Sequence, residues 1–258
     1  GVGSVSAVQC VCASGSYLSG PTCVSCGSGG TTEGVGATHV SQCSCSGGLA
    51  PGYDRCAEQI TTAGARTWFA AASSGDAAVM SAGTLGVSGD YVIALWYKFV
   101  SISCSSGDCV WDGGNAKPVA DILDNGGTTT LAKIKIRNGS ANNGGGVYIS
   151  NSVVNLMLMD FLSNQAIGNG GAVYASATVT LQGSSFTSNS AVQGSDIYKT
   201  PTATVTVLEC PAGYSSVQGS SLSILPPSIT GFSYGCTLCT AGTYSPSPSS
   251  SSSSSSCL

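Results

Sequence analysis

The sequence predicts an all-β protein: a short parallel β-solenoid, β-helix-like, with small disulfide-rich modules on both sides. Three observations predict it. A repeat of about 25 residues runs from roughly residue 106 to 200: Leu131, Leu156 and Leu181 share one offset, as do Ile136, Phe161 and Phe186, and Ala141, Ala166 and Ala191. Such a period marks stacked units, each too small to bury its own apolar face. Thirteen cysteines fall in three groups, eleven of them outside residues 58–207. No window of ten or more residues carries an apolar period of 3.6, so helices should be scarce.

Composition narrows the function classes. Only 8% of the 258 residues are charged, against about 25% in ordinary soluble proteins. Surface solvation must then come from hydroxyls, amides or attached sugar. The net charge of −4 is spread thinly and no Lys/Arg cluster exists, which argues against nucleic acid as a partner. No run approaches the roughly 20 apolar residues of a transmembrane segment. Gly1-Val2-Gly3-Ser4 has neither the charge nor the apolar core of a signal peptide. The cysteine layout favours an oxidising setting, secreted or at the cell surface.

Residues 1–57 form the first cysteine-rich region. It holds Cys10, Cys12, Cys23, Cys26, Cys43, Cys45 and Cys56 in close couples separated by Gly/Ser-rich stretches. A segment this poor in Val, Leu and Ile needs staples. Chain-like pairing gives Cys12–Cys23, Cys26–Cys43 and Cys45–Cys56, each closing a short loop that contributes roughly 2–4 kcal/mol. Cys10 is left over.

Residues 58–207 form the β-rich region, with Cys104 and Cys109 close enough for a local loop. Thr67–Ala72, Tyr91–Val100 and Thr202–Leu208 read as strands. One repeat makes one coil of about three short strands, and equivalent residues stack at about 4.8 Å. Leu, Ile/Phe, Ala and Val then form inward ladders. Asn164 and Asn189 stack at a turn, where amides bond between coils. Glycines at 144–146, 168–171 and 194 fit corners that need φ > 0 or close backbone approach. An earlier coil begins near Ser106, with Trp111 and Ala116 in register and Ile122-Leu123 opposite Val147-Tyr148. The alternative is an antiparallel sandwich with coincidental spacing.

Residues 208–258 return to cysteine couples, with Cys210–Cys236 and Cys239–Cys257 as the pairings. Before Cys257 comes a Ser/Pro spacer of the extended, O-glycosylated kind: Ser245, Pro246, Ser247, Pro248, Ser249, Ser250, Ser251, Ser252 and further serines. Cys257-Leu258 reads as half a C-x-x-C couple, and Cys10 as the second partner of an earlier loop. The chain therefore reads as a window from a longer repetitive protein; otherwise Cys10 bonds another chain.

Catalytic candidates are few. Asp160 is the best carboxylate, but Lys135 aligns with it one coil earlier and a surface ion pair is the simpler reading. Asp121, Asp124 and Asn125 could hold a cation, yet they miss the calcium-loop spacing and read better as a turn. His39 with Cys43 and Cys45 could bind zinc, but disulfides are the better reading of those cysteines. Asn138-Gly139-Ser140 is the one N-glycosylation sequon, placing a glycan on Asn138. Tyr148, Tyr174 and Tyr198 form either an outward strip suited to sugar stacking or, the favoured reading, part of the core.

Gly170-Gly171-Ala172-Val173, together with Phe161-x-x-Asn164 and Phe186-x-x-Asn189, resembles the GGAI and FxxN repeats of polymorphic outer-membrane proteins, a β-helix surface family. Gly194-Ser195-Asp196-Ile197 departs from the pattern, as a last, capping coil would. Cys23-Val-Ser-Cys26 and Cys239-Thr-Ala-Gly-Thr-Tyr244 resemble EGF- and ephrin-receptor-like cysteine modules. The combination resembles large algal and protist surface proteins, including those of surface hairs. The resemblance implies secretion, a structural or adhesive role and, in an algal setting, hydroxylated and glycosylated Pro246 and Pro248.

The reading is a non-enzymatic extracellular structural glycoprotein, a subunit or segment of a surface fibre or coat. It has no metal or cofactor beyond covalent glycans, and its partners are further copies or neighbouring segments of the same protein. Solenoid ends are open edges unless capped. The alternatives are an adhesin or receptor ectodomain that binds carbohydrate or protein, and then a polysaccharide-active enzyme with paired carboxylates.

Overall fold

The computed structural model describes residues 12–19, 22–26, 30–38, 42–46, 49–51, 56–72, 76–81, 83–86, 93–96, 100–105, 108–123, 127–208, 214–216, 228–229 and 236–238. The chain divides into two compact units: residues 1–59 with 77–79, and residues 60–76 with 80–258.

In the first unit Ser16–Ser19 pairs antiparallel with Thr22–Ser25, and Gly30–Thr32 with Cys43–Cys45. The core is small: Tyr17, Cys26, Ala37 and Cys43, with Val24 and Cys45 packed against them. Cys12–Cys23 and Cys26–Cys43 are disulfides with Cα atoms 5.5 and 5.7 Å apart. Cys45 is also disulfide-bonded. The Cys45–Cys56, Cys210–Cys236 and Cys239–Cys257 pairings each involve a side chain outside the described residues, as does Cys10.

The second unit is a parallel β-solenoid of about five coils with three faces. On the first face Ser101–Cys104, Thr128–Ala132, Val153–Met157, Val179–Gln182 and Val205–Leu208 pair in parallel. The second face stacks Gly83–Gly86, Cys109–Asp112, Ile134–Arg137, Asp160–Leu162 and Ser185–Thr187. The third stacks Ile93–Trp96, Ala120–Leu123, Val147–Ser150, Val173–Ala175 and Ile197–Lys199. The Cys104–Cys109 disulfide ties the first face to the second at one corner.

The predicted ladders point inward and are buried. Ile102, Leu131, Leu156, Leu181 and Val207 line the first face, and Leu85, Trp111, Ile136, Phe161 and Phe186 the second. Phe161 and Phe186 stack with ring centroids 4.9 Å apart. The alanine ladder is weaker: Ala166 is buried, whereas Ala141 and Ala191 are half-buried.

Left-handed residues turn the corners with the same period. Lys133, Leu158 and Gly183 have φ of 58, 54 and 61°, and Asn138, Ser163 and Ser188 have 52, 55 and 55°. A glycine is required at Gly171 for a different reason: a Cβ there would meet the carbonyl oxygens of Ser195 and Ser190.

Three expectations need correction. Thr67–Ala72 is no strand; it lies in and just beyond the helix Thr62–Ala71, which Thr61 caps by accepting from the Gly64 N–H at 3.1 Å. Its apolar residues satisfy either reading locally, and packing decides: Phe69 meets Trp111 edge to face at 5.6 Å. The solenoid also begins a coil earlier, at Gly83. Lastly, Ala120-Asp121, and not Ile122-Leu123, stands opposite Val147-Tyr148, because the loop between those coils is longer than the repeat implies.

Each end of the stack carries one further element. The helix packs on the first strands of the second and third faces. At the far end Ser228–Ile229 pairs antiparallel with Ile197–Lys199.

Candidate functional site: ladders inside and outside the solenoid

Strand alternation sorts each residue to the inside or the outside of the coil. Inside, Asn164 is fully buried. Its Oδ1 accepts from the Gly139 N–H at 3.0 Å, and its Nδ2 donates to the Ile136 carbonyl at 3.0 Å and to Asn189 Oδ1 at 3.1 Å. Asn189 Nδ2 donates in turn to the Phe161 carbonyl and, at 3.1 Å, to Asp196 Oδ1. Asp196 occupies the place that Ala172 holds one coil earlier. Its carboxylate takes the amide proton that a further asparagine would otherwise receive, so the ladder ends there.

Outside the second face, Asp112 gathers three donors. Arg137 Nε lies 2.8 Å from Oδ2, while the Gly114 N–H at 3.0 Å and Asn138 Nδ2 at 3.1 Å reach Oδ1. Burial alone would raise this carboxyl's pKa, but the three hydrogen bonds and the guanidinium charge outweigh burial and hold it below the usual carboxylate value. The sequon asparagine therefore sits in a polar corner, half-buried, with one of its two amide protons engaged. Sequence reasoning missed Asp112 and Arg137, although the 25-residue offset that aligned the apolar ladders joins them too. Asp196 lies in the departure from the Gly-Gly-Ala-Val pattern that the sequence reading assigns to a last, capping coil; that its carboxylate ends the amide ladder was not read from the sequence.

Lys135 and Asp160 are direct cross-strand neighbours, as aligned, yet they form no ion pair. Asp160 Oδ1 instead accepts a short hydrogen bond from Ser185 Oγ. The carboxylates are also kept apart. Asp160 lies between Lys135 and Ser185 in its ladder, Asp121 between Ala94 and Tyr148, and Asp112 between Gly86 and Arg137.

The three tyrosines correct the core reading. They alternate with buried Val147, Ile149, Val173, Ala175 and Ile197 and are themselves half-buried on the outer side. Tyr148 and Tyr174 stack with centroids 4.9 Å apart and planes 2° apart; Tyr174 and Tyr198 follow at 5.5 Å and 17°. Burial, then its two tyrosine neighbours, raise the Tyr174 phenol above its ordinary pKa. Asp121, next in the same outward row, is also raised, by burial.

In the first unit Thr32, Glu33, Val35, Gln42 and Ser44 border an open concavity of about 540 Å³. No reactive pair converges on it. Cys43 and Cys45 are both committed to disulfides, so neither offers a thiolate to zinc. Among the described residues, no three His, Cys, Asp or Glu side chains come together as a metal site. His39, Asp124, Asn125 and the spacer Ser245–Ser252 lie outside the described residues. No described helix is long and apolar enough to cross a membrane.

The chain matches no family model, no curated protein and no solved structure. Its function therefore has to be argued from its own geometry.

Proposed function

We propose that the chain is a non-enzymatic structural glycoprotein of an extracellular fibre or coat. The observation that carries this reading is the solenoid itself: side-chain ladders run through about five coils, and Asp112, Asp121 and Asp160 each have non-acidic residues as their direct cross-strand neighbours. Glycosidase chemistry needs two carboxyl groups facing one bond, about 5–10 Å apart. The ladders instead place a cation, a hydroxyl or a phenol beside each acid. Disulfides in both compact units support an oxidising environment.

On this reading the flanking cysteine couples are ephrin-receptor-like joints, the serine run is an O-glycosylated spacer, and Asn138 carries an N-glycan. One of the Asn138 amide protons survives glycosylation and can keep the bond to Asp112. At the far end only the third face is extended, by Ser228–Ile229, while Val205–Leu208 and Ser185–Thr187 are the last described strands of their sheets, so neighbours have these strand edges as well as the flanking modules to meet through. The adhesin alternative loses part of its support, since the tyrosine faces that would stack on sugar are turned against each other.

Electron microscopy of the native secreted material tests the proposal. Regular filaments or sheets with a subunit repeat are the expected result. Dispersed single particles would overturn it and bring the adhesin reading forward.

A further inference from the structure

The tyrosine row offers chemistry that none of the readings above uses. Two ring faces stack between Tyr148 and Tyr174 and two between Tyr174 and Tyr198, so apart from the outer faces of Tyr148 and Tyr198 what the row leaves uncovered by another ring is ring edges and hydroxyls. The edge carbons ortho to the hydroxyl are where phenoxyl radicals couple. Contact between parallel rings also lets an electron hole pass along the row, so oxidation at any of the three reaches whichever ring meets a partner. Register holds this arrangement: Tyr148 is the direct cross-strand neighbour of Tyr174, and Tyr174 of Tyr198.

We propose that Tyr148, Tyr174 and Tyr198 form an oxidative cross-linking site that joins two copies of this chain through dityrosine. The oxidant is hydrogen peroxide, whose two oxidising equivalents a haem peroxidase passes to the phenols one at a time. Each of two phenols gives up one hydrogen atom, and peroxide takes both and leaves as two waters. The radicals join ortho carbon to ortho carbon, and each ortho hydrogen then moves to its oxygen to restore the phenol. The bond must run between molecules. Coupled rings meet edge to edge, whereas neighbours within the row lie face to face with planes 2 and 17° apart. This inference depends on the geometry of the row and stands apart from the coat reading.

The test treats the full chain with hydrogen peroxide and a haem peroxidase and follows dityrosine fluorescence, dimer formation and the linked peptides by mass spectrometry. The expected result is a covalent dimer, lighter than two chains by two hydrogens, with its links at Tyr148, Tyr174 or Tyr198. The Y148F/Y174F/Y198F chain keeps the stacked rings and seven of its ten tyrosines, and should fall to the level seen without peroxide. Links that map to the other tyrosines, a wild-type chain that stays monomeric, or a triple variant that dimerises as well as wild type would each overturn the proposal. Mapping on the wild-type chain decides the matter even where the variant folds poorly.

Discussion

Removing the Asn164 side chain tests the reasoning most directly. Asn164→Ala withdraws the acceptor of the buried Gly139 N–H and a donor to the Ile136 carbonyl, both held at 3.0 Å. Asn189 Oδ1 suffers less, because the Asn164 backbone N–H still donates to it at 3.0 Å. Leaving a buried polar group unsatisfied costs about 1–3 kcal/mol, so two such groups predict a loss of about 2–6 kcal/mol. Asn164→Asp is a sharper control. It keeps the acceptor for Gly139 but points a charge at the Ile136 carbonyl and at Asn189 Oδ1, so at neutral pH it should be at least as damaging. Urea unfolding read by circular dichroism measures both. A loss below about 1 kcal/mol for the alanine variant, no larger than one ordinary exposed hydrogen bond, would mean the amide ladder does not hold the coils in register.

Other perturbations follow from the same geometry. Gly171→Ala would put a methyl 2.6 Å from the Ser190 carbonyl oxygen and closer still to that of Ser195; overpacking of this kind should cost about 1–3 kcal/mol, seen as a lower urea midpoint. Ser163→Gly relieves a left-handed residue at φ 55° and should leave the protein up to about 1 kcal/mol more stable by the same measurement. The two acids of the outer faces should act with opposite signs. Asp112 has a lowered pKa in the folded chain, so its stabilisation is present above the usual carboxylate value and is lost as pH falls through the folded one. Asp121 is raised, so its favourable contribution exists at low pH and disappears as pH climbs through its folded value. Thermal midpoints followed from neutral pH into the acid range should show Asp112→Asn flattening the acid-side decline and Asp121→Asn raising the neutral-pH midpoint.

Much of the solenoid was legible because its period writes the same residue types at the same offset. Leu131, Leu156 and Leu181, or Phe161 and Phe186, need only be counted to be placed. What stayed hidden lacked that redundancy. The first coil has Leu85 and Ile93 but not the Gly-Gly-Ala-Val run of the later coils. The Thr62–Ala71 helix carries apolar residues that fit a strand equally well, until Phe69 has Trp111 to pack against. The tyrosines were misplaced because apolar pairs such as Val147-Tyr148 do not say which member faces in; pairing register, with Val147 stacked on Val173, decides it. Asp112 with Arg137 was overlooked because a polar pair in a weakly charged sequence looks isolated until two coils are laid one on the other.

The elements at the two ends of the solenoid set what can vary. The helix reaches into the stack as far as Trp111, and at the other end Ser228–Ile229 pairs with Ile197–Lys199. A coil inserted or deleted between Thr128 and Gln182 would leave both of these contacts intact and change the length of the stack by about 4.8 Å. Duplication of one 25-residue unit would therefore lengthen the molecule in fixed steps, like rungs added to the middle of a ladder.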